Sequence, residues 1–102
     1  MTYTVIFTTT IHPPGEFYMN LGPDEAADVA VLTQFRAEQP GYISESSEIV
    51  DADTRKFTMV FDSKASYDTY ANLSYALPEF IRRAQYYHSI GVTSDVQYIN
   101  TP

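Results

Sequence analysis

Residues 39–67 read QPGYISESSEIVDADTRKFTMVFDSKASY, and this stretch decides the order of the secondary-structure elements on both sides of it. It opens at the end of a helical pattern. Pro40 ends that pattern because proline supplies no amide donor, and Gly41 ends it because glycine readily adopts a left-handed backbone turn. We therefore predict that a helix stops here and that a strand begins at Tyr42.

Two strand patterns follow within the same stretch. Residues 42–50 and 55–61 have strand composition, and the polar residues 51–54 between them are typical of a tight connection. One face of the second strand carries Phe57, Met59 and Phe61. Ser63 then has the residue type and position of an N-cap, so a further helix is predicted to follow.

The remaining elements are predicted from alternation, helical spacing and helix-breaking residues. Their predicted bounds are 2–10 (strand), 23–38 (helix), 63–77 and 78–90 (two helical segments that Pro78 separates), 92–99 (strand) and 100–102 (tail). The order strand, helix, strand, strand, helix, strand is the ferredoxin-like βαββαβ arrangement of the α+β class. It predicts a four-stranded antiparallel sheet with the helices on one face, and residues 1–102 are expected to form one domain.

Helical spacing also predicts which side chains face the sheet. In the first helix the inward stripe is Ala27, Val31, Leu32 and Phe35; in the next segment it is Tyr67, Tyr70, Ala71, Ser74 and Leu77; in the last it is Phe80, Ile81, Ala84, Tyr87 and His88. Arg82 and Gln85 are expected to point outward into water. Asp28 points toward its helix's stripe, either as a hydrated carboxylate at the rim or as a functional acid.

Composition excludes several classes of function. The chain has a net charge of −7, with thirteen acidic and six basic residues, which argues against nucleic acid and anionic membranes as partners. It has no cysteine, so it has neither disulfides nor a thiolate nucleophile. No apolar run is long enough to span a membrane, and the N-terminus has no signal-peptide pattern. We therefore expect a cytoplasmic protein.

Residues 11–22 are unusual for a connection. His12 precedes two prolines and a glycine, and apolar side chains follow at Phe17, Tyr18, Met19 and Leu21. Leaving large apolar side chains in water is costly, so we expect an ordered segment that packs on something. The sequence leaves three possibilities open: a cap on the domain's own core, a lid over a pocket, or a contact with a second subunit.

Four short stretches resemble the dimeric α+β barrel superfamily, which includes the antibiotic-biosynthesis-monooxygenase-like proteins. They are Phe35 with Gln39-Pro40-Gly41-Tyr42-Ile43, Val60-Phe61-Asp62-Ser63 leading into Tyr67 and Tyr70, Phe80 with Tyr87, and Ile90-Gly91-Val92. The resemblance implies a homodimer in which two protomers pack the helix-free faces of their sheets together. The first and third strands are apolar on both faces, with Ile6 and Val60 opposite the helix-facing side, which favours the same assembly.

The superfamily includes cofactor-free oxygenases, haem-degrading enzymes, isomerases and polyketide cyclases. Its haem-degrading members resemble one another in a histidine on the second helical region, a pocket tryptophan and an asparagine on the first strand. His88 matches the first of these features, but the chain has no tryptophan and its first strand has no asparagine. We therefore expect no haem and no other cofactor. The two histidines, His12 and His88, have no metal-ligand spacing, so no metal site is expected.

The resemblance places a site between the sheet and the helices. The expected pocket residues are Phe7, Phe57, Met59, Tyr67, Tyr70 and His88. His88 is the candidate catalytic base, because it lies on an apolar helix face and titrates near neutral pH. A functional His88 should border open volume, whereas a structural one should be enclosed by side chains and hydrogen-bonded; we expect the structural case.

Three functions remain open. The first is a homodimer that binds a small apolar molecule between sheet and helices. The second is a cofactor-independent monooxygenase or cyclase that acts on a small aromatic or polyketide-like substrate. The third is a structural oligomerisation module whose interior is filled by its own aromatic side chains. A cavity of at least ~300 Å³ beside His88 would separate the first two from the third.

Overall fold

The protein is described by a computed structural model that covers residues 1–11, 25–51, 53–89 and 91–102. The elements are β1 (Thr2–Ile11), α1 (Glu25–Ala37), β2 (Tyr42–Asp51), β3 (Thr54–Phe61), α2 (Lys64–Ser74), α3 (Pro78–Ser89) and β4 (Val92–Thr101). The strands form one antiparallel sheet in the order β2-β3-β1-β4. The predicted ferredoxin-like fold is confirmed, with its second helical region divided into α2 and α3.

The strand register separates the two faces of the sheet. Val5 of β1 lies opposite Met59 of β3 and Tyr98 of β4, and these side chains are on the helix-covered face. Ile6 lies between Thr58 and Gln97, on the other face, which none of the described helices covers. Both faces of the central strands are thus partly apolar, as the alternation of β1 predicts.

The hydrophobic core lies at one end of the helix-covered face. Val5 and Phe61 are fully buried, and the other buried members of the core are Tyr3, Met59, Tyr67, Tyr70 and Ala71. The ring of Phe61 lies 5.4 Å from that of Tyr70, 5.7 Å from that of Tyr67 and 5.9 Å from that of Tyr42, between ring centroids. These distances are within the range of favourable aromatic contacts, so Phe61 joins β2, β3 and α2.

The Pro-Gly connection between α1 and β2 needs its glycine. Gly41 has a φ of 85°, in the left-handed region, and its carbonyl accepts a 2.8 Å hydrogen bond from the amide of Asp62. A Cβ at this position would collide with the side chains of Asp62 and Ser66. The backbone conformation and the crowding therefore both select glycine.

The predicted start and end signals of α2 are confirmed. The hydroxyl of Ser63 accepts a 3.2 Å hydrogen bond from the amide of Ser66, as an N-cap does. The helix ends at Ser74 and α3 begins at Pro78. The first amides of a helix have no acceptor within the helix, so a proline at this position costs no hydrogen bond.

One predicted boundary differs from the structure, and other predictions concern residues that the structure does not describe. Residues 100 and 101 were assigned to a tail, but Asn100 and Thr101 pair with Tyr3 and Thr2, so β4 runs two residues further. The predicted helix start at Pro23, and residues 12–22 of the long connection, lie outside the described residues.

The inward face of α1 is rotated from the one predicted. Ala27 and Val31 are exposed, whereas Leu32 and Asp28 are buried. Asp28 forms an ion pair with α3: Arg82 Nη2 lies 2.7 Å from Asp28 Oδ1 and Arg82 Nε lies 2.9 Å from Asp28 Oδ2. Hydrogen bonding to Arg82 lowers the pKa of the Asp28 carboxyl. Asp28 therefore serves a helix–helix contact, and Arg82, whose side chain is 54% exposed as predicted, also reaches α1 through this pair.

Helix α3 also packs differently from the prediction. None of its described side chains is buried in the chain, and Ile81, which was assigned to the inward face, is 43% exposed. Its predicted apolar face is instead adjacent to open space between helix and sheet. In the described part of the chain, no helix has the length and apolar character of a membrane span.

Replacing Phe61 by alanine is expected to lower the free energy of unfolding by about 3–5 kcal/mol, as for other fully buried phenylalanines. The loss follows from the contacts of its ring with Tyr42, Tyr67 and Tyr70. Urea unfolding followed by circular dichroism measures it. Leu73→Ala is the control, because Leu73 is 50% exposed on α2 and should change stability by no more than ~0.5 kcal/mol. Equal losses in the two variants would contradict the assignment of the core.

Candidate functional site

A cavity of about 940 Å³ lies between the helix-covered face of the sheet and the three helices. It begins at the core residues Met59 and Tyr70 and extends toward the end of the sheet where β1 finishes and β4 starts, at Thr9 and Val92. Its volume is in the upper part of the range for sites that enclose small organic ligands. The cavity exists because α3 does not pack closely on the sheet.

All six residues predicted from the sequence to line a pocket border this cavity. They are Phe7, Phe57, Met59, Tyr67, Tyr70 and His88. Met59, Tyr67 and Tyr70 are buried at its inner end, and desolvation raises the pKa of the Tyr67 hydroxyl. The structure thus brings together side chains from β1, β3, α2 and α3.

His88 lies in the last turn of α3 and borders the cavity. We predicted from the sequence that His88 is enclosed by side chains and hydrogen-bonded, but its side chain is exposed. Within the described part of the chain, its ring makes no hydrogen bond that would identify it as a structural histidine. His88 is exposed for the same reason as the rest of α3, because this helix does not pack closely on the sheet.

A polar part of the cavity wall is centred on Arg36, which was not predicted from the sequence as a site residue. Its Nε lies 2.8 Å from Glu45 Oε1 and its Nη2 lies 3.1 Å from Glu45 Oε2, forming a two-point ion pair. Its Nη1 donates a 3.1 Å hydrogen bond to the hydroxyl of Tyr70, and its guanidinium carbon lies 4.9 Å from the ring centroid of Phe57. These contacts fix both the position and the plane of the guanidinium.

The environment of Arg36 keeps it charged. Its side chain is 12% exposed and that of Glu45 is 19% exposed. Burial lowers the pKa of Arg36, but the hydrogen bonds and charges of Glu45 and Tyr70 together raise it above the ordinary value. Tyr42 Oη also donates a 3.1 Å hydrogen bond to Glu45 Oε1. The pair is therefore a structured element of the cavity wall.

A β-bulge explains why this pair was missed. Simple alternation from Tyr42 places Ser44 on the same face and Glu45 on the opposite one. The register instead pairs Tyr42 with Phe61 and Glu45 with Met59, with one extra residue between Tyr42 and Ser44. Glu45 is thereby turned to the helix-covered face, beneath the last turn of α1. A sequence signal does exist at Arg36, because a cation suits the C-terminal end of a helix, but it indicates no partner.

Further charged residues border the cavity. They are Arg55, Lys56 and Glu48 on the strands and Arg83 on α3. Arg83 contacts Tyr87 on the next turn, by a hydrogen bond from Nη2 to the hydroxyl and by a guanidinium carbon 4.9 Å from the ring centroid. No group of three possible metal ligands occurs within the described ranges, and His12 lies outside them.

Comparisons with known proteins show the fold. No protein-family model matches the sequence, and no curated protein matches it significantly. SnoaB, a cofactor-independent oxygenase from Streptomyces nogalater, superposes with a TM-score of 0.64 at 16% identity, over 99% of this chain and 93% of that one. Rv0793 from Mycobacterium tuberculosis superposes with a TM-score of 0.67 at 14% identity, over 100% and 96% of the two chains.

A third solved structure, from Chloroflexus aurantiacus, is provisionally named an antibiotic biosynthesis monooxygenase. It has a TM-score of 0.58 and 17% identity, over 100% of this chain and 94% of that one. At these identities the likeness establishes the fold and no activity. The ferredoxin-like fold that the sequence predicts is therefore shared with these solved structures.

Proposed function

We propose, from a protomer fold shared with the antibiotic-biosynthesis-monooxygenase-like proteins, that this chain binds a small aromatic molecule in the cavity between its sheet and its helices. The observation that carries the proposal is the cavity itself, about 940 Å³ in volume and bordered by aromatic side chains from several elements. A purely structural module would have filled this interior with its own side chains. Such a volume left open beside aromatic rings favours a ligand with stacking surfaces of its own.

The aromatic lining of the cavity supports a flat ligand. Phe7 and Phe57 border it from the sheet, and Tyr87 and Phe80 border it from α3. A ring system between these layers would contact aromatic side chains on both of its faces. Burying it would remove apolar surface of both partners from water, at roughly 25 cal/mol per Å².

We further propose that the protein is a homodimer assembled through the helix-free face of the sheet. That face carries Ile6 and Val60 at its centre and Ile99, 38% exposed, on the neighbouring strand. Packing two such faces would cover apolar side chains that the helices of a single chain do not reach.

The dimer predicts a mass in solution of twice the 11.6 kDa chain, measured by light scattering at micromolar concentration. Ile6→Asp should convert the dimer to a monomer, because it places a charge where two sheets would meet. Thr69→Asp, on the exposed side of α2, is the control and should remain dimeric. A folded wild-type monomer would overturn this assembly.

A substitution inside the cavity tests the ligand proposal. Ala84 borders the cavity from α3, so Ala84→Trp should fill part of it and weaken binding of a neutral naphthalene probe such as 2-naphthamide at least ~10-fold. Gln85→Trp adds the same ring one residue away, outside the described cavity wall, and should leave binding unchanged. The chain has no tryptophan of its own, so the indole of Ala84→Trp also reports ligand contact by fluorescence, whereas that of Gln85→Trp should not respond. Equal binding by both variants would place the ligand elsewhere.

His88 supports a second candidate function, oxygenation without a cofactor. It borders the cavity and is accessible, so a neutral imidazole there could remove a proton from a phenolic ligand. The phenolate is more electron-rich than the phenol and would be oxidised by dioxygen, with one oxygen atom entering the ring and the other leaving as water. SnoaB, which has the same fold, is a cofactor-independent oxygenase.

The reaction of 1,5-dihydroxynaphthalene with dioxygen, which gives 5-hydroxy-1,4-naphthoquinone and water, tests this activity. We expect the protein to accelerate quinone formation, measured by absorbance and oxygen consumption. His88→Ala should lower the rate about 10²-fold, the lower range for loss of a general base. Gln85→Ala, on the same helix, should retain the rate. Quinone formation no faster than in buffer would eliminate the oxygenase and leave the binding proposal intact.

A further inference from the structure

We infer that the protein has a second binding site, for an uncharged sugar ring, in a groove between α2 and the strands β1 and β4. This outer groove has a volume of about 400 Å³ and is bordered by Tyr3 and Tyr98 from the sheet and by one side of α2. Those two tyrosines do not border the large cavity between sheet and helices, so the inference goes beyond the proposed function and does not depend on it.

The helix wall of the outer groove is polar and has no net charge. Lys64, Asp68 and Asn72 follow one another at steps of four residues, so they lie in one row along α2. Lys64 Nζ lies 2.6 Å from Asp68 Oδ2, so the two charges balance each other. Asn72 is exposed, and within the described part of the chain its amide makes no hydrogen bond. The wall therefore favours a neutral ligand that forms hydrogen bonds.

Tyr98 of β4 supplies an aromatic platform on the opposite wall. Its ring stacks on Tyr3, with centroids 6.1 Å apart and planes 23° apart, and it meets the ring of Tyr67 at 6.1 Å and 63°. These contacts hold the ring in place, and the side chain is still 53% exposed. The face of an aromatic ring is weakly negative, so it attracts the weakly positive C–H groups on the face of a sugar ring.

Two tyrosine hydroxyls of the outer groove are left unpaired by the fold. Tyr3 and Tyr67 are each 6% exposed, and neither hydroxyl makes a hydrogen bond among the described residues. No described side-chain oxygen is both unpaired and closed off from solvent, so these hydroxyls reach open space. For Tyr3 that space is the outer groove, because Tyr3 does not border the large cavity. Buried hydroxyls normally have a partner, and a bound ligand would supply one here.

Burial also keeps one of these hydroxyls able to donate. Desolvation raises the pKa of the Tyr67 hydroxyl, and the neighbouring phenols of Tyr98 and Tyr75 raise it further. Tyr67 therefore stays protonated at every pH at which the protein is folded and soluble. Its O–H is a donor for a ligand oxygen, and its lone pairs accept from a ligand hydroxyl.

A sugar ring combines the features that these walls require. Its C–H face can lie on Tyr98. Its hydroxyls both donate and accept, which matches the phenols of Tyr3 and Tyr67. A cationic ligand would also be attracted to tyrosine rings, but the ammonium group of Lys64 borders the same groove and repels it. A purely apolar ligand would leave the buried hydroxyls without partners.

The outer groove stays open in the proposed homodimer. Tyr98 lies opposite Val5 in the strand register, which places it on the helix-covered face of the sheet. The dimer is proposed to form through the other face, which carries Ile6. Both proposals can therefore be tested on the same assembly.

Two compounds with the same kind of hydroxyl group test the inference. Cellobiose has two flat sugar rings, and sorbitol carries its hydroxyls on an open chain. NMR titration of the isotopically labelled full chain with cellobiose should show saturable shifts at the backbone amides of residues 64–75 and 98. Sorbitol should bind at least ~10-fold more weakly, because it offers no ring to Tyr98.

Four variants locate the site. Tyr98→Ala removes the platform and should weaken cellobiose binding at least ~10-fold. Tyr86→Ala is the matched control, because Tyr86 borders neither the outer groove nor the large cavity, and it should bind as the wild type does. Tyr67→Phe removes only the hydroxyl, so its urea midpoint should stay unchanged while its affinity for cellobiose falls at least ~3-fold. Asn72→Ala, on the exposed side of α2, should lower affinity similarly and keeps the test decisive even if Tyr98→Ala does not fold.

The outcomes separate the outer groove from the large cavity. Failure of cellobiose to bind would overturn the sugar site and leave 2-naphthamide binding in the large cavity intact. Loss of 2-naphthamide binding alone would contradict only the proposed function. Equal binding of cellobiose and sorbitol, or binding of choline in place of cellobiose, would overturn the sugar ring as the ligand. Cellobiose binding that survives both Tyr98→Ala and Asn72→Ala, or that is lost in Tyr86→Ala, would overturn the outer groove as its site.

Discussion

The packing of Phe61 is the constraint on which the rest of the structure depends. Its ring is fully buried and contacts aromatic rings of β2 and α2, and Phe35 of α1 packs in turn on Tyr70 with ring centroids 6.0 Å apart. The helices are thus tied to one end of the sheet by aromatic side chains. At the opposite end the described residues form no equivalent aromatic cluster beneath α3, and α3 contacts α1 through the ion pair between Arg82 and Asp28. The cavity is the space left by this one-sided packing.

Much of the fold is determined by local signals that a sequence shows directly. Proline and glycine at residues 40 and 41, the cap at Ser63 and the break at Pro78 each act through a neighbouring backbone group, so their positions are predictable. The rotation of α1 and the exposure of α3 were not predictable in this way. Both depend on how far apart two layers stand, and helical spacing carries no information about that distance.

The residues of the candidate site also fall into two groups, those that local sequence patterns predict and those that depend on contacts between elements. Its aromatic lining follows from strand alternation and helix spacing, which is why Phe7, Phe57 and Tyr70 could be identified from sequence. The pair of Arg36 and Glu45 required a bulge and a contact between residues of different elements. His88 was identified as a candidate by its type, but its accessible position depends on the height of α3 above the sheet. Pairs of polar residues that come together only in the folded structure could therefore not be predicted from the sequence.

The bulge in β2 has a consequence for how related sequences should be aligned. The bulge absorbs one extra residue, Ile43, so Tyr42 still pairs with Phe61 and Glu45 still pairs with Met59 on the same face of the sheet. A shorter chain that lacked Ile43 would present the same carboxylate to the helices from a regular strand. An alignment gap at Ile43 therefore preserves the geometry of the ion pair, whereas an ungapped alignment with such a chain would match inward-facing residues to outward-facing ones. The number of residues in this strand, more than their identity, therefore determines how the site should be aligned between related sequences.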